Sequence, residues 1–331
     1  MKAIEIKNLS KKYKDFEIED LSFDHIEGSV MGLIGANGAG KTTILKSILD
    51  IISHGGEIKI FGQDPDENIK DRIGFLLEDI FISNNINIKQ TDNIYKNIYS
   101  KWDSEYFYYL TKKFNLPDKK PNDKFSKGMK MKYKIAIALS SRPDLLILDE
   151  PTSGLDPVIR DDILDILLEF MEDEKHSILF SSHITEDLEK IADYITYIND
   201  GKLVFSKEKY DLLENYAILK CTEEDLEKID KENILKIKKS EYSIECLVDN
   251  KIEMKKKYPD LILDKAHISE IMVLYERGKD YEGPIIKWFI FLQEKYDSQS
   301  CVFYLVFFLP NNKIFQVWSK CIYNAKFNNY I

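Results

Sequence analysis

Long apolar runs are scarce in this sequence. No stretch is both apolar enough and long enough to cross a bilayer as a helix, and the longest late run, Cys301 to Leu309, stops at Pro310. The opening residues, Met1-Lys2-Ala3-Ile4-Glu5-Ile6-Lys7, alternate apolar and polar as a strand does, unlike a secretory signal. Cysteine is sparse too. The four cysteines, Cys221, Cys246, Cys301 and Cys321, all lie in the last third, make no C-x-x-C and have no histidine at metal-ligand spacing. They read as unpaired thiols in a reducing compartment. Positive charge is short: 47 Lys and Arg stand against 57 Asp and Glu, for a net charge of -10. That balance argues against a nucleic-acid partner held through its phosphates. Core-forming residues are not lacking, since 44% of the 331 residues are hydrophobic, and the length fits about two domains.

The most informative run is Gly35-Ala36-Asn37-Gly38-Ala39-Gly40-Lys41-Thr42-Thr43, which fits the phosphate-loop pattern G-x-x-x-x-G-K-[ST] in full. Apolar residues from Val30 to Ile34 precede it as a buried strand would. The periodic set Ile44, Leu45, Ile48, Leu49 follows it as a helix would. Glycines let backbone N–H groups turn inward around an anion, and the helix N-terminus adds its positive dipole end. Lys41 supplies a point charge for terminal phosphates, and the Thr42 hydroxyl is placed for a magnesium ion. The sequence therefore predicts a nucleoside triphosphate site.

Further along, 57–61 and 72–77 read as strands. Residues 80–125 carry many aromatics, Tyr95, Tyr99, Trp102, Tyr106, Phe107, Tyr108 and Tyr109, at helical spacings that predict a small helical core. A buried helix is expected over 130–139, and Leu145-Leu146-Ile147-Leu148 has the unbroken apolar character of a parallel strand covered on both faces. A helix at 159–171 and a strand at 177–182 complete the alternation of an α/β fold with a mainly parallel sheet. Strands at 216–220, 235–239 and 244–248, a helix opened by the acidic capping box after Thr222, and another helix at 267–277 predict a second, small α+β unit. After about residue 280 the composition shifts towards Phe, Tyr, Trp and Asn.

Asp149-Glu150 follows the apolar strand, at the C-terminal end where ligands bind in open α/β folds. Asp149 is suited to hold magnesium and Glu150 to polarise a water for attack on a γ-phosphate. Phe125-Ser126-Lys127-Gly128-Met129, Leu146 to Pro151, Ser153-Gly154-Leu155-Asp156 and Ser181-Ser182-His183 complete an ordered set over roughly residues 1–210. That set resembles the nucleotide-binding subunit of an ABC transporter, of the drug- and bacteriocin-exporter type.

The resemblance implies a P-loop NTPase with an N-terminal antiparallel β part and a helical insert at about 80–140, together occupying residues 1–208. The 209–280 unit resembles an exporter accessory extension, and the tail is 281–331. It implies ATP and Mg2+ as cofactors and ATP hydrolysis coupled to transport through a separate permease. Glu150 and His183 are the implied catalytic residues; Thr42, Glu78 and Asp149 sit at the metal. Tyr13 stacks on adenine. Gly35, Asn37, Gly38, Ala39, Gly40, Lys41, Thr42, Thr43 and Asp156 bind nucleotide. Ser126 and Gly128 do so in a second subunit, which is another copy or a homologous ATPase. Two departures stand out. The Q-loop position is Glu78 rather than Gln, and the signature reads F-S-K-G-M, with Lys127 and Met129 where the family has Gly and Gln. The expected location is cytoplasmic, peripheral at the inner face of the cell membrane. A soluble ATPase of this type acting as a non-transport regulatory or interaction module remains the alternative. For the tail, a membrane-contact segment and a shifted reading frame are both open, and it is expected to be dispensable for hydrolysis.

Overall fold

The computed structural model describes residues 1–77, 85–229, 233–240 and 243–280, and the backbone of three strands at 288–291, 303–309 and 313–319. The first half contains β1 (Lys2–Lys12), β2 (Glu17–Ile26), β3 (Val30–Ile34), α1 (Lys41–Ile48), β4 (Gly55–Ile60), α2 (Glu67–Lys70) and β5 (Ile73–Leu76). Then come α3 (Ile88–Tyr95), α4 (Ser104–Lys113), α5 (Lys127–Ser140), β6 (Leu145–Asp149), α6 (Pro157–Phe170), β7 (Ser177–Ser182), α7 (Thr185–Ile191), β8 (Tyr194–Asn199) and β9 (Lys202–Glu208).

A six-stranded sheet, in the order β5-β6-β7-β3-β8-β9, is parallel except for the β8–β9 pair. Its strands β3, β6 and β7 are buried at every residue, because both faces are covered. Alternation in β6 separates the two cores. Leu145 and Ile147 face α1 and the antiparallel β2-β1-β4 sheet, while Leu146 and Leu148 face α5 and α6. Each such side chain contributes about 2 kcal/mol on burial. The chain runs from β3 out to β5, returns through β6 and β7, and crosses to β8 on the far side of β3. The loops after β3, β6 and β7 therefore gather at the carboxyl ends of these parallel strands.

The aromatic stripe forms the predicted helical core. Phe107 is buried, Tyr95 and Trp102 stack at 5.4 Å, and Tyr133 of α5 meets Phe125 edge-on at 5.5 Å. Helix α5 starts at Lys127, earlier than its apolar periodicity indicates, because Ser126 caps it by accepting a hydrogen bond from Met129 N at 3.2 Å.

After α8 (Lys209–Asn215) the chain forms β10 (Ala217–Cys221), α9 (Glu223–Lys228), β11 (Ile234–Lys239), β12 (Ile244–Val248), α10 (Lys251–Lys257), β13 (Ile262–Lys265) and α11 (Ile268–Arg277). Strands β11-β12-β10-β13 make an antiparallel sheet. The Thr222 capping box is present, with Asp225 as its reciprocal partner. Tyr275 of α11 packs edge-on against Tyr197 of β8 at 5.8 Å, and Ile268 N donates to Glu189 of α7 at 3.0 Å. In the tail, β14 (Trp288–Phe291), β15 (Phe303–Leu309) and β16 (Lys313–Ser319) pair antiparallel in that order.

Candidate nucleotide-binding and hydrolysis site

The turn after β3 requires glycine for two different reasons. At Gly35 a Cβ would lie 2.4 Å from the Ile198 carbonyl oxygen. At Gly38 and Gly40 the φ angles are +86° and +108°, in the region that favours glycine, and Phe16 fills the space beside Gly40. Gly40 caps α1, whose first residue is Lys41. Ala39 is buried, its carbonyl accepting from Gly201 N at 3.1 Å, while Asn37 and Gly38 face solvent.

Lys41 is only 6% exposed. Its ammonium donates to the carbonyls of Gly35 at 2.8 Å and Ala36 at 3.2 Å, and lies 3.3 Å from Glu150 Oε1. Thr42 Oγ1 donates to Asp149 Oδ2 at 2.7 Å, so the phosphate loop and the end of β6 are joined directly. Thr43 follows on the first turn of α1.

Asp149 is buried at the last position of β6 and its other oxygen accepts from Ser181 Oγ at 2.6 Å. Glu150 is the turning residue, with φ +50°, and its N–H donates to Ser181 Oγ at 3.0 Å. A non-glycine residue held there costs about 1 kcal/mol and is retained by these bonds. The turn aims the carboxylate between two cations or potential cations. Oε1 faces Lys41, and Oε2 meets His183 Nδ1 at 2.5 Å. His183 follows β7 and is partly exposed.

The carboxyl ends of β3, β6 and β7 thus bring together Gly35, Gly38, Ala39, Gly40, Lys41, Thr42, Thr43, Asp149, Glu150 and His183. Ser126, Gly128 and Asp156 form a different cluster. Gly128 permits close packing of α5 on α6, since a Cβ there would stand 2.3 Å from Ile159 Cδ1. Asp156 caps α6, accepting from Ile159 N at 3.1 Å. Lys127, the departure in the signature, rests its ammonium against Gly154. Tyr13 is 44% exposed and borders an open pocket of about 400 Å³ with Phe16, Lys14 and Asp200. Glu78 lies outside the described residues.

Three residues were not singled out from the sequence. Ser181 orients both acidic residues, and the serine pair before His183 was the available signal. Arg160 and the buried Asp187 form a 2.5 Å ion pair between α6 and α7. Nothing in their local sequence marks that pair, because it joins residues far apart in the chain.

The ABC transporter family model matches residues 18–153. A lantibiotic transport ATP-binding protein of Streptococcus pyogenes is 35% identical over 215 residues, covering 64% of this chain and 93% of that protein. This chain belongs to the ABC transporter ATP-binding family. As a member it is an ATP-binding transport ATPase of the P-loop fold. A bacitracin transport ATP-binding protein of Bacillus licheniformis is 33% identical over 208 residues, 61% of this chain and 68% of that protein. Among solved structures, the ATP-binding subunit of an ABC transporter superposes with a TM-score of 0.57 at 28% identity, over 64% of this chain and 92% of that one. A dimeric cassette bound to ADP and Pi, 21% identical with a TM-score of 0.55, shares the fold, over 62% of this chain and 98% of that one. Among the described residues no helix is long and apolar enough to cross a membrane.

Proposed function

We propose that this cassette drives export through a separate membrane permease, at the cytoplasmic, inner face of the cell membrane, by hydrolysing ATP with Mg2+ in a dimer. The second subunit is another copy or a homologous ATPase. The observation that carries the reading is the continuous network from Lys41 and Thr42 through Asp149 and Glu150 to His183. The lantibiotic and bacitracin transport relatives favour export.

In this reading the loop from Gly35 to Gly40 and the start of α1 at Lys41, Thr42 and Thr43 surround the phosphates, with Asn37 and Ala39 shaping the loop. Thr42 Oγ1 and Asp149 Oδ2 are adjacent hard oxygen donors and fit a Mg2+ that is also held by phosphate oxygens. The ion supplies charge neutralisation at the phosphates when bound. The family pattern assigns Glu78 to the same ion. Glu150 Oε1 is buried and accepts no hydrogen bond among the described residues, which leaves it able to take a proton from water. His183 contacts the γ-phosphate and responds to its loss. Tyr13 stacks on adenine. Ser126 and Gly128 present the N-terminus of α5 to nucleotide on the other subunit, with Asp156 beside them.

The test is ATP turnover of the native chain and of Glu150→Gln. The substitution is expected to reduce turnover at least about a hundredfold while ATP binding persists. Equal rates would remove Glu150 from the chemistry. Specific activity should also climb with protein concentration, and a constant value down to dilute monomer contradicts the shared site.

A further inference from the structure

The accessory sheet contains a chemistry that the nucleotide site does not use. In the β10–β12 pair Leu219 is opposite Cys246 and Cys221 is opposite Ile244, so Cys221 and Cys246 are diagonal neighbours on one face. Cys246 is fully buried in a core with Leu219, Val248 and Met254. Cys221 sits at the rim of that core, partly open to solvent. That register sets the two thiols beside each other across neighbouring strands. The neighbouring Cys246 thiol lowers the Cys221 thiol below its ordinary value despite partial burial and the nearby Asp225. Pairing with Cys221, reinforced by burial, pushes the Cys246 thiol up.

The two positions differ in the way a two-thiol oxidation needs. The accessible sulfur is the better thiolate, and the one that must stay protonated and wait is enclosed beside it.

We infer that Cys221 and Cys246 form an oxidation site for hydroperoxides, with Cys221 as the attacking sulfur and Cys246 as the resolving one. The Cys221 thiolate attacks a peroxide oxygen; an S–O bond forms, the O–O bond breaks, and an alcohol (water, from hydrogen peroxide) leaves after taking a proton. Cys221 is then a sulfenic acid. The Cys246 sulfur attacks it, the S–S bond forms, and hydroxide leaves with the Cys246 proton as water. Two thiols are oxidised by two electrons and one hydroperoxide is reduced. The product staples β10 to β12, adjacent strands in the middle of the sheet, and a dithiol reverses it.

The experiment is brief exposure of the full chain to dilute hydrogen peroxide, followed by peptide mapping. The expected product is a Cys221–Cys246 cross-link, with the mass of two hydrogens lost and restored by dithiothreitol. Cys246→Ser should trap a sulfenic acid at Cys221 that dimedone labels. In Cys221→Ser, Cys246 should react at least about tenfold more slowly than Cys221 does in the native chain. Cys221 remaining reduced while Cys301 or Cys321 oxidises overturns the assignment. So does a cross-link that bypasses Cys246, or Cys246 reacting as fast without Cys221.

Discussion

At Gly35 the constraint is a backbone carbonyl, whereas at Gly38 it is a torsion angle. Gly35→Ala drives a methyl group to 2.4 Å from the Ile198 oxygen, which the β8 backbone carries and cannot easily move. Gly38→Ala meets no atom within 4 Å and carries only the cost of φ +86°. Thermal or urea unfolding should show a loss of about 3 kcal/mol for the first and about 1 kcal/mol for the second; equal losses would contradict the distinction. His25 offers a titration at the same scale. It is fully buried, Nε2 donates to the Ser29 carbonyl at 3.0 Å, and Nδ1 has no partner among the described residues. Burial lowers its pKa from 6.5 to about 4. Because the unfolded chain takes up the proton first, this contribution is full above pH 6.5 and is lost as pH falls towards 4. Between pH 7 and pH 5 the loss is about 2 kcal/mol. His25→Leu should flatten that part of the urea-midpoint profile, and an unchanged slope would reassign the pH dependence to other groups.

Helices α5, α6 and α7 meet through their N-terminal ends, and the parts of that meeting differ in strength. Ser126 caps α5 from an exposed position, so Ser126→Ala is expected to cost about 1 kcal/mol. Asp187 is 3% exposed and pairs with Arg160, so Asp187→Ala leaves a guanidinium half-buried without its partner. That change should cost about 3 kcal/mol in the same unfolding assay. If Asp187→Ala costs no more than Ser126→Ala, the ion pair does not hold α6 on α7. The caps at Ser126 and Thr222 could be read from the chain because each bonds a backbone three residues away. Arg160–Asp187 could not, since its partners come together only when α6 and α7 pack.

For the whole molecule, α11 ties the C-terminal sheet to the six-stranded one through Tyr275 on Tyr197 and Ile268 on Glu189. Lys279 closes the described chain against Ile237, bonding in both directions at 2.9 and 2.8 Å. A stop after Asp280 keeps these contacts and removes the aromatic tail. ATP turnover of that truncation should equal that of the full chain; a loss would give the tail a part in hydrolysis.

By itself the sequence determined the α/β alternation, the phosphate loop and the acidic pair after β6. Periodicity, glycine torsions and unbroken apolar runs are local properties, and 30–49 and 145–150 each contain all of theirs. It also located His183 through its strand-end context. Only the tertiary structure decided that Ser181 bonds the Asp149 carboxylate and the Glu150 backbone, that Glu150 lies between Lys41 and His183, and that Cys221 and Cys246 share one face of neighbouring strands. Those arrangements depend on which strands become neighbours and in what register. Both are set by packing and hydrogen bonding between segments distant in the chain, which no local pattern encodes.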